Sequence, residues 1–470
     1  MNKELRNWIG QARWFAGKGR EWDLVGVRRI GRLPGEREGL RVAIDLAEVS
    51  YPSDSGEESE LYQLPLAFYS EPQERIAHAL VGEWHDADFG RAFVYDALHD
   101  RESMALWLAA FAAADLDLAL PSGGDGQLVF HRLSGHELDL EAHSTLFSGE
   151  QSNSSVAFGE DSLMKVFRKV TPGVNPDIAI HRVLTEAGSS HVAALYGWLD
   201  LIDDETETTI ELAMLQQFLR TASDGWDLAL ASVRNLFAEA DLHADEVGGD
   251  FAGEAARLGV ALAAVHADLA AHFPVEERGS AAIDDLAAAM EGRLDAAIDV
   301  VPDLAPYEGG LRTTFGRLRE LDGIEVQQVH GDLHLGQTLR TVKGWKIVDF
   351  EGEPAKPLAV RLQPDSVWRD VAGMLRSFDY APRVVAMTAS DFDMGDEAGQ
   401  RDYRASEWAA RNRGAFLDAY AAQRGTELSA SGRILLDAYL ADKVVYEAVY
   451  EARNRPGWLS IPLAALEEST

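Results

Sequence analysis

The sequence predicts an α+β protein in which a region of antiparallel sheet precedes a mainly helical region. Short segments of alternating apolar and polar residues fill the first 218 residues, whereas long Ala- and Leu-rich segments with helical spacing dominate after residue 224. One strand-like island, at 326–350, interrupts the helical part. At roughly 150 residues per domain, 470 residues suggest two to four structural units.

In the first region, apolar and alternating content predicts strands at 40–46 and 61–69. The acidic stretch between them, 50–60, is interpreted as an exposed loop, and 91–114 as helical. The same patterns then predict further strands at 127–133, 154–158 and 163–168, a helix at 177–187, and a hairpin of 195–201 and 208–215 around an acidic turn.

The second region carries the helical patterns. Ala and Leu recur at helical spacing in five segments, namely 226–245, 249–272, 280–297, 402–424 and 429–453. Within the island, 345–350 is the clearest strand. No internal repeat and no long low-complexity linker is visible.

The charge balance excludes several classes of function. With 43 Lys and Arg against 78 Asp and Glu, the formal net charge is −35, which disfavours nucleic acid and anionic membrane as partners. The absence of cysteine excludes disulfides and thiolate metal sites. The N-terminus has no secretory leader pattern, and the longest uncharged apolar stretch, Met104–Ala114, is too short to span a bilayer. We therefore expect a cytoplasmic protein.

Two neighbouring segments, 330–337 (HGDLHLGQ) and 349–354 (DFEGEP), have a spacing that suits phosphoryl transfer from ATP. That reaction needs a carboxylate to orient the attacking hydroxyl and accept its proton, and divalent cations to hold the phosphates. Asp332 is the candidate catalytic base. Gln337, five residues later, and Asp349, seventeen residues later, are candidate Mg²⁺ ligands, with Glu351 as a third.

The nucleotide requires a positive group upstream. Lys165 lies in an apolar strand pattern, where a lysine is costly unless it has an anionic partner. The turn-rich residues Gln151, Ser152, Asn153 and Ser154 would let backbone N–H groups approach phosphates. Gln216 and Phe218, at the end of the hairpin, suit a hinge that contacts adenine, although an ordinary strand end is equally compatible.

The C-terminal helix carries a polar and aromatic face suited to a sugar. Lys443, Tyr446, Glu447 and Tyr450 share this face at helical spacing. The remaining candidate substrate residues are Arg453, Trp458 and, in the catalytic segment, His334. The alternative is a helix that docks by its aromatic stripe. Trp14, Phe15, His266 and Asp370 are interpreted as structural.

Several segments together resemble the maltokinases. These are 13–18 (RWFAGK), 150–158 (EQSNSSVAF), the two catalytic segments, 369–381 (RDVAGMLRSFDYA) and 442–458 (DKVVYEAVYEARNRPGW) followed by Ile461-Pro462-Leu463. The resemblance covers the whole chain. DFEGEP together with RDVAGMLRSFDY is specific within the aminoglycoside-phosphotransferase-like kinases.

This resemblance implies a bilobal eukaryotic-kinase-like fold, with an N-terminal cap at 1–90, a nucleotide-binding subdomain at 91–218 and a helical lobe at 219–470. It implies transfer of the ATP γ-phosphoryl to maltose, giving maltose 1-phosphate for bacterial glycogen synthesis, and an association with trehalose synthase. On this interpretation Asp332 is the base, Gln337 and Asp349 bind Mg²⁺, and Lys165 anchors phosphate.

One departure from the family pattern leaves alternatives open. Family members carry Glu where this chain has Ala179, so Lys165 pairs with Asp177, with Glu186, or with nucleotide alone. A kinase of glucosamine or of an aminoglycoside is the nearest rival to a maltose kinase. A catalytically idle sugar- or nucleotide-binding protein is the rival from another class, and Ala179 is its only support.

Overall fold

The computed structural model consists of two compact units, Met1–Arg182 with Ala193–Arg220 (unit 1) and Val183–Val192 with Thr221–Thr470 (unit 2). It describes the chain except for residues 36, 38, 54–55, 115–117, 125, 148–152, 204–207, 240–241, 354–355, 389–397, 426 and 468–470. Among the described helices, none combines the length and apolar character that crossing a bilayer requires.

Unit 1 contains two antiparallel sheets. The strands of the first are β1 (Asp23–Arg32), β2 (Leu40–Ser53), β3 (Gly56–Tyr69), β4 (Leu80–Asp86) and β5 (Gly90–Asp96). They lie in the order β1-β2-β3-β5-β4, and the short strand Lys169–Val170 also pairs with β3. Helix α1 (Asn2–Gln11) buries Leu5 and Ile9. Trp14 and Phe15 are buried in the same cluster, as expected of core residues.

The second sheet of unit 1 carries the predicted nucleotide residues. Its strands are β6 (Leu118–Gly124), β7 (Gly126–Arg132), β8 (Ser144–Leu146), β9 (Asn153–Phe158), β10 (Ser162–Phe167), β12 (Leu195–Asp203) and β13 (Thr208–Gln217), where β11 is the short strand Lys169–Val170. They lie in the order β6-β7-β12-β13-β10-β9-β8. Lys165 sits between Ser155 of β9 and Met214 of β13 in this register.

Helices make up most of unit 2. Outside it, α2 (Arg101–Ala113) belongs to unit 1, and α3 (Pro176–Glu186) begins there. The helices of unit 2 are α4 (Gly225–Ala238), α5 (Ala252–His272), α6 (Ser280–Val300), α7 (Glu308–Gly316), α8 (Leu358–Arg361), α9 (Val367–Thr388), α10 (Ala398–Arg424), α11 (Ala430–Asn454) and α12 (Ser460–Glu467). The five predicted helical segments correspond to α4, α5, α6, α10 and α11.

Short strands occupy the predicted island of unit 2. A three-stranded sheet has the order β14 (Ser223–Asp224), β17 (Thr338–Thr341) and β18 (Gly344–Ile347). A separate pair consists of β15 (Glu276–Gly279) and β16 (Gly323–Val326). The catalytic segment lies between β16 and β17, and Asp349 follows β18, so the two sheets position both predicted motifs.

The prediction of an exposed loop at 50–60 is wrong, because β2 and β3 form a hairpin whose pairing continues to Ser53 and Gly56. One acidic residue there, Glu60, contacts two buried tyrosines. Glu60 accepts hydrogen bonds from the hydroxyls of Tyr51 and Tyr62, at 2.8 and 2.6 Å. A glutamate that accepts hydrogen bonds from two tyrosine hydroxyls is compatible with a strand. The number of acidic residues in the segment does not reveal these bonds.

The prediction of a helix over 91–114 is wrong in its first half. Residues up to Asp96 form β5, since Phe93, Val94 and Tyr95 favour an extended, half-buried chain. The helix begins at Arg101 because Asp100 caps it, accepting the backbone N–H of Glu102 at 3.2 Å. The helix-forming residues further along obscured this boundary.

A buried ion pair stabilises the core of unit 1. Arg168 is 1% exposed, and its Nη2 lies 2.7 Å from Oδ2 of Asp96. Its Nε donates to the Ser154 hydroxyl at 2.8 Å. Removing one partner of a buried pair leaves the other charge without compensation, which costs about 3–5 kcal/mol.

We predict that Arg168→Met lowers the stability of the protein by about 3 kcal/mol or more, since it strands the Asp96 carboxylate. The matched control is Lys169→Met, because the Lys169 side chain is 46% exposed and its partner Glu60 keeps two tyrosine donors. We expect that control to cost less than about 1 kcal/mol. Calorimetric unfolding of both variants is the measurement, and equal shifts would contradict the prediction.

Candidate active site

Asp370, on α9, holds the start of the catalytic segment. Its carboxylate accepts the backbone N–H groups of His330 and Gly331, each at 2.8 Å, and contacts Nε2 of His266 at 3.1 Å. Burial raises the pKa of this carboxyl group, but the bonds from His266 and the backbone outweigh burial and hold the pKa below its usual value. Asp370 and His266 are therefore structural, as the sequence suggested.

Helix α9 also approaches the catalytic segment closely. A Cβ on Gly373 would lie 2.3 Å from the carbonyl oxygen of Leu333, so only glycine fits there. One turn later, the Ser377 hydroxyl accepts the backbone N–H of Leu335 at 3.1 Å. The catalytic segment therefore contacts α9 at Leu333 and at Leu335, and these contacts fix the backbone between them.

His330 connects the two catalytic motifs. Its Nε2 lies 3.0 Å from the carbonyl oxygen of Val348, and its Nδ1 accepts the backbone N–H of Asp332 at 3.3 Å. Nδ1 is thus the acceptor of this ring, and Nε2 faces a carbonyl oxygen to which it can donate. The ring also packs against Phe350, with the ring centroids 4.9 Å apart.

Asp332, the predicted base, is paired with a lysine. Nζ of Lys443 lies 3.0 Å from Oδ1 of Asp332, and the two side chains are 26% and 21% exposed. Burial raises the pKa of Asp332, but Lys443 and then His334 counteract burial and bring the pKa below its usual value. Asp332 is therefore ionised at neutral pH, as a group that accepts a proton must be.

The predicted metal ligands lie at the end of the catalytic segment and just after β18. Nε2 of Gln337 donates to Oδ2 of Asp349 at 3.0 Å. Asp349 has a left-handed backbone with φ of 68°, an uncommon conformation for a non-glycine residue, and Glu351 follows two residues later. An amide oxygen and two carboxylates are the oxygen ligands that Mg²⁺ prefers. The residues present thus fit the predicted metal.

The predicted sugar residues line one cavity of unit 2, with a volume of about 870 Å³. Asp332 forms part of its wall, so the predicted base and the predicted sugar residues share one space. The seven sugar candidates all line it, namely His334, Lys443, Tyr446, Glu447, Tyr450, Arg453 and Trp458. The structure therefore brings together residues that are more than a hundred positions apart in the sequence.

Acid–base pairs recur along the face of α11 that borders this cavity. Glu447, one turn after Lys443, pairs with the buried Arg376 at 2.7 Å. Glu451, one turn further, is 1% exposed and pairs with Arg455 at 2.7 Å. Burial raises the pKa of Glu451, and Arg455 offsets this only in part. Three carboxylates at the cavity are thus each paired with a cation.

His334 provides a neutral polar group beside Asp332. Its Nδ1 accepts the backbone N–H of Gly336 at 3.1 Å and so caps the short helical turn that leads to Gln337. Burial lowers the pKa of His334, despite the opposing charge of Asp332. The imidazole is therefore neutral at pH 7 and carries its proton on Nε2, which makes it a hydrogen-bond donor for an oxygen ligand.

In unit 1, Lys165 pairs with Asp177, one of the three alternatives that the sequence left open. The distance from Nζ to Oδ2 is 2.9 Å, and His181 Nδ1 lies 3.0 Å from the same carboxylate. Burial raises the pKa of Asp177, but Lys165 and His181 bring it well below its usual value. Asp177, on the same helix as Ala179, provides the carboxylate that Ala179 lacks.

The other predicted nucleotide residues also lie in unit 1, except for Gln151 and Ser152, which fall outside the described residues. Asn153 and Ser154 are the first two residues of β9. The Ser154 hydroxyl accepts a hydrogen bond from Arg168, so the backbone N–H of Ser154 is the group predicted to approach a phosphate. Gln216 is the penultimate residue of β13 and pairs with Leu163 of β10. The backbone N–H of Phe218 donates to Asp161 at 2.8 Å.

Sequence reasoning missed several cavity residues. These are Trp226, Arg376, Ser377, Tyr380, Glu451 and Arg455. A signal existed for five of them. Arg376, Ser377 and Tyr380 lie within the family motif 369–381, and Glu451 and Arg455 lie within the family segment 442–458. Trp226, at the start of α4, had no such signal, because only the tertiary fold brings it to the cavity.

Comparison with known proteins places this geometry in a family. Residues 8–100 match the model of the maltokinase N-terminal cap domain. A glucosamine kinase of Streptacidiphilus jiangxiensis is 31% identical over 68% of this chain and 72% of its own length. A glucosamine kinase of Mycolicibacterium smegmatis is 28% identical over 67% of this chain and 77% of its own length.

The fold has a counterpart among solved structures. A glucosamine kinase in complex with glucosamine, ADP and inorganic phosphate matches with a TM-score of 0.69 and 23% identity, over the full length of both chains. This likeness confirms the predicted α+β, kinase-like fold with its N-terminal cap. The chain therefore belongs to the maltokinase-like family of kinases that includes these glucosamine kinases.

Proposed function

We propose that this protein transfers the γ-phosphoryl group of ATP to a hydroxyl of glucosamine. The observation that carries the proposal is the cavity in which Asp332 borders aromatic rings and two buried carboxylates. Aromatic rings suit the apolar face of a sugar, and carboxylates suit its hydroxyl and ammonium groups. The kinship with two glucosamine kinases supports the same substrate.

In this mechanism the ionised Asp332 accepts a hydrogen bond from the attacking hydroxyl and takes its proton. The sugar oxygen forms a bond to the γ-phosphorus while the bond from that phosphorus to the β–γ bridging oxygen breaks, and ADP leaves. The Nε2–H group of His334 donates a hydrogen bond to a second sugar oxygen. The role of the chain is thus mainly to position the hydroxyl and to hold its proton.

Gln337, Asp349 and Glu351 would hold Mg²⁺ in this proposal. The ion supplies positive charge that neutralises the phosphate oxygens. The bond from Gln337 to Asp349 at 3.0 Å keeps the amide beside the carboxylate. Lys165, held by Asp177, would contact the phosphates of ATP, and Asn153, Ser154, Gln216 and Phe218 would contact other parts of the nucleotide.

Glucosamine is favoured over a neutral sugar by the state of Glu451. This carboxylate is buried, and its pKa is raised above the usual value. An ammonium group that enters the cavity stabilises the charged form of such a carboxylate, because opposite charges attract strongly where water is excluded. A neutral hydroxyl gives a weaker stabilisation.

Maltose is the second candidate. Residues 8–100 match the cap domain named after maltokinase, and the motif resemblance covers the whole chain. A cavity of about 870 Å³ also leaves room for a disaccharide. With maltose, the product would be maltose 1-phosphate for α-glucan synthesis, and an association with trehalose synthase would follow from the same resemblance.

We expect ADP release with glucosamine to exceed release with maltose, glucose, N-acetylglucosamine or kanamycin, measured as kcat/KM in a coupled assay with Mg²⁺. Glu451→Gln should lower kcat/KM for glucosamine at least tenfold and leave the neutral sugars within about threefold, since about 1.4 kcal/mol corresponds to tenfold. Asp437→Asn is the matched control, because Asp437 is exposed on the same helix and pairs with Arg317 instead. A preference for maltose in the wild type would favour the second candidate.

Asp332→Asn should lower kcat about 10²–10⁴-fold, because the amide cannot accept the proton of the hydroxyl. The exposed Asp322→Asn provides a control with the same change of charge and should keep full activity. Both variants should unfold at the wild-type temperature to within a few degrees. Turnover of Asp332→Asn near the wild-type rate would overturn the assignment of the base.

Asp349→Ala should abolish turnover at any Mg²⁺ concentration, because it removes a carboxylate ligand and the partner of Gln337. Gln337→Glu, which keeps an oxygen ligand, should retain activity but with a changed Mg²⁺ dependence. The measurement is ADP release across a Mg²⁺ titration. An Asp349→Ala variant whose Mg²⁺ titration superimposes on that of the wild type would show that the metal ligands lie elsewhere.

A further inference from the structure

The salt bridge between Lys443 and Asp332 needs an explanation. A lysine 3.0 Å from a general base lowers the affinity of that base for a proton, so it works against proton transfer. A structural ion pair would not need to lie in the wall of the sugar cavity. The pairing therefore suggests that the positive charge itself serves the reaction.

The protein fixes Lys443 firmly in place. Val444 and Val445, its neighbours on α11, are buried in unit 2. Asp442, on its other side, forms two hydrogen bonds of 2.8 Å with Arg293 of α6. The ring centroid of Tyr446 lies 5.0 Å from Nζ of Lys443. The ammonium group is thus held by the helix as well as by Asp332.

Lys443 also has donors to spare. An ammonium carries three N–H groups, and within the part of the chain that the structure describes, Nζ makes one hydrogen bond, to Asp332. Lys443 borders the cavity of about 870 Å³ and also a smaller one of about 170 Å³. An oxyanion that binds beside Asp332 can therefore accept a hydrogen bond from the Lys443 ammonium.

The surrounding charge keeps this lysine protonated. Burial lowers its pKa, but Asp332, Glu447 and Glu353 act in the opposite direction and raise the pKa above the usual value for lysine. Lys443 is therefore a fixed positive charge at neutral pH and does not exchange a proton with the substrate. A charge of this kind is suited to stabilising negative charge that develops during a reaction.

We propose that Lys443 is a catalytic residue whose ammonium donates a hydrogen bond to the γ-phosphoryl group during its transfer, and that Asp332 aims this ammonium at the reacting atoms. The inference rests on the proposed function and assigns Lys443 a role different from sugar binding. The proton of the sugar hydroxyl goes to Asp332, the new bond joins the sugar oxygen to phosphorus, and Lys443 keeps all its protons. Its contribution is greatest in the transition state, where the phosphoryl group lies between donor and acceptor.

The test compares Lys443→Met with Lys343→Met, an exposed lysine whose loss changes the net charge equally. Lys443→Met should lower kcat about 10²–10³-fold, as loss of one such donor does, and leave the KM for sugar within about threefold. ADP binding in calorimetry should be unchanged, but fluoroaluminate, which mimics the transferring phosphoryl group, should no longer tighten ADP binding in the presence of sugar. Lys343→Met should match the wild type throughout.

A second comparison separates a direct role from one exerted through Asp332. In the Asp332→Asn background, Lys443→Met should lower the residual rate by at least a further tenfold, because the ammonium acts on the phosphoryl group itself. No further loss would overturn the inference and leave Lys443 as a positioning residue. A raised sugar KM with unchanged kcat would also overturn it, in favour of sugar binding.

The inference and the proposed function fail in different ways. A wild type that phosphorylates sugar while Lys443→Met keeps its kcat contradicts this inference alone. A wild type without turnover on any sugar of the panel contradicts the proposed function, and this inference with it. Lys443→Arg distinguishes charge from geometry, since it should recover part of kcat if positive charge is what the site requires.

Discussion

The bonds from the Asp370 carboxylate to the backbone of His330 and Gly331 are the constraint on which the rest of the site depends. A carboxylate that is buried must be compensated, and here two N–H groups and His266 provide the compensation. The catalytic segment is thereby tied to α9 rather than to solvent. Asp332 lies two residues beyond His330, so its position depends on Asp370, which we interpret as a structural residue.

The order of the candidate groups was visible in the sequence, whereas parts of the local structure were not. Asp332, Gln337 and Asp349 stand out because phosphoryl transfer needs such groups in such an order. The structure brings Gln337 and Asp349 together, and the chemical roles of the three residues stay predictions. The hairpin at 50–60 escaped prediction because Glu60 is compensated by tyrosines that only the fold supplies. Strand β5 escaped because the helix-forming residues that follow it obscured its boundary. Trp226 escaped because only the tertiary fold brings it to the cavity.

The net charge of −35 has a different distribution at the site from that at the surface. Around the cavity the carboxylates of Asp332, Glu447 and Glu451 are matched by Lys443, Arg376 and Arg455. Local neutrality of this kind would let a site in an acidic protein accept an anionic ligand, which unmatched carboxylates would repel. The net charge of the whole chain therefore does not describe the charge around its cavity.

Helix α11 places Lys443, Glu447 and Glu451 at intervals of four residues, so successive groups lie about 6 Å apart along one side of a rigid rod. Such a rod allows a new sugar preference to arise by exchanging one side chain at a time. It does not tolerate a change in length, because one inserted residue turns everything beyond it by about 100°. A substitution on α11 therefore changes one group of the cavity wall, whereas an insertion displaces every group that follows it.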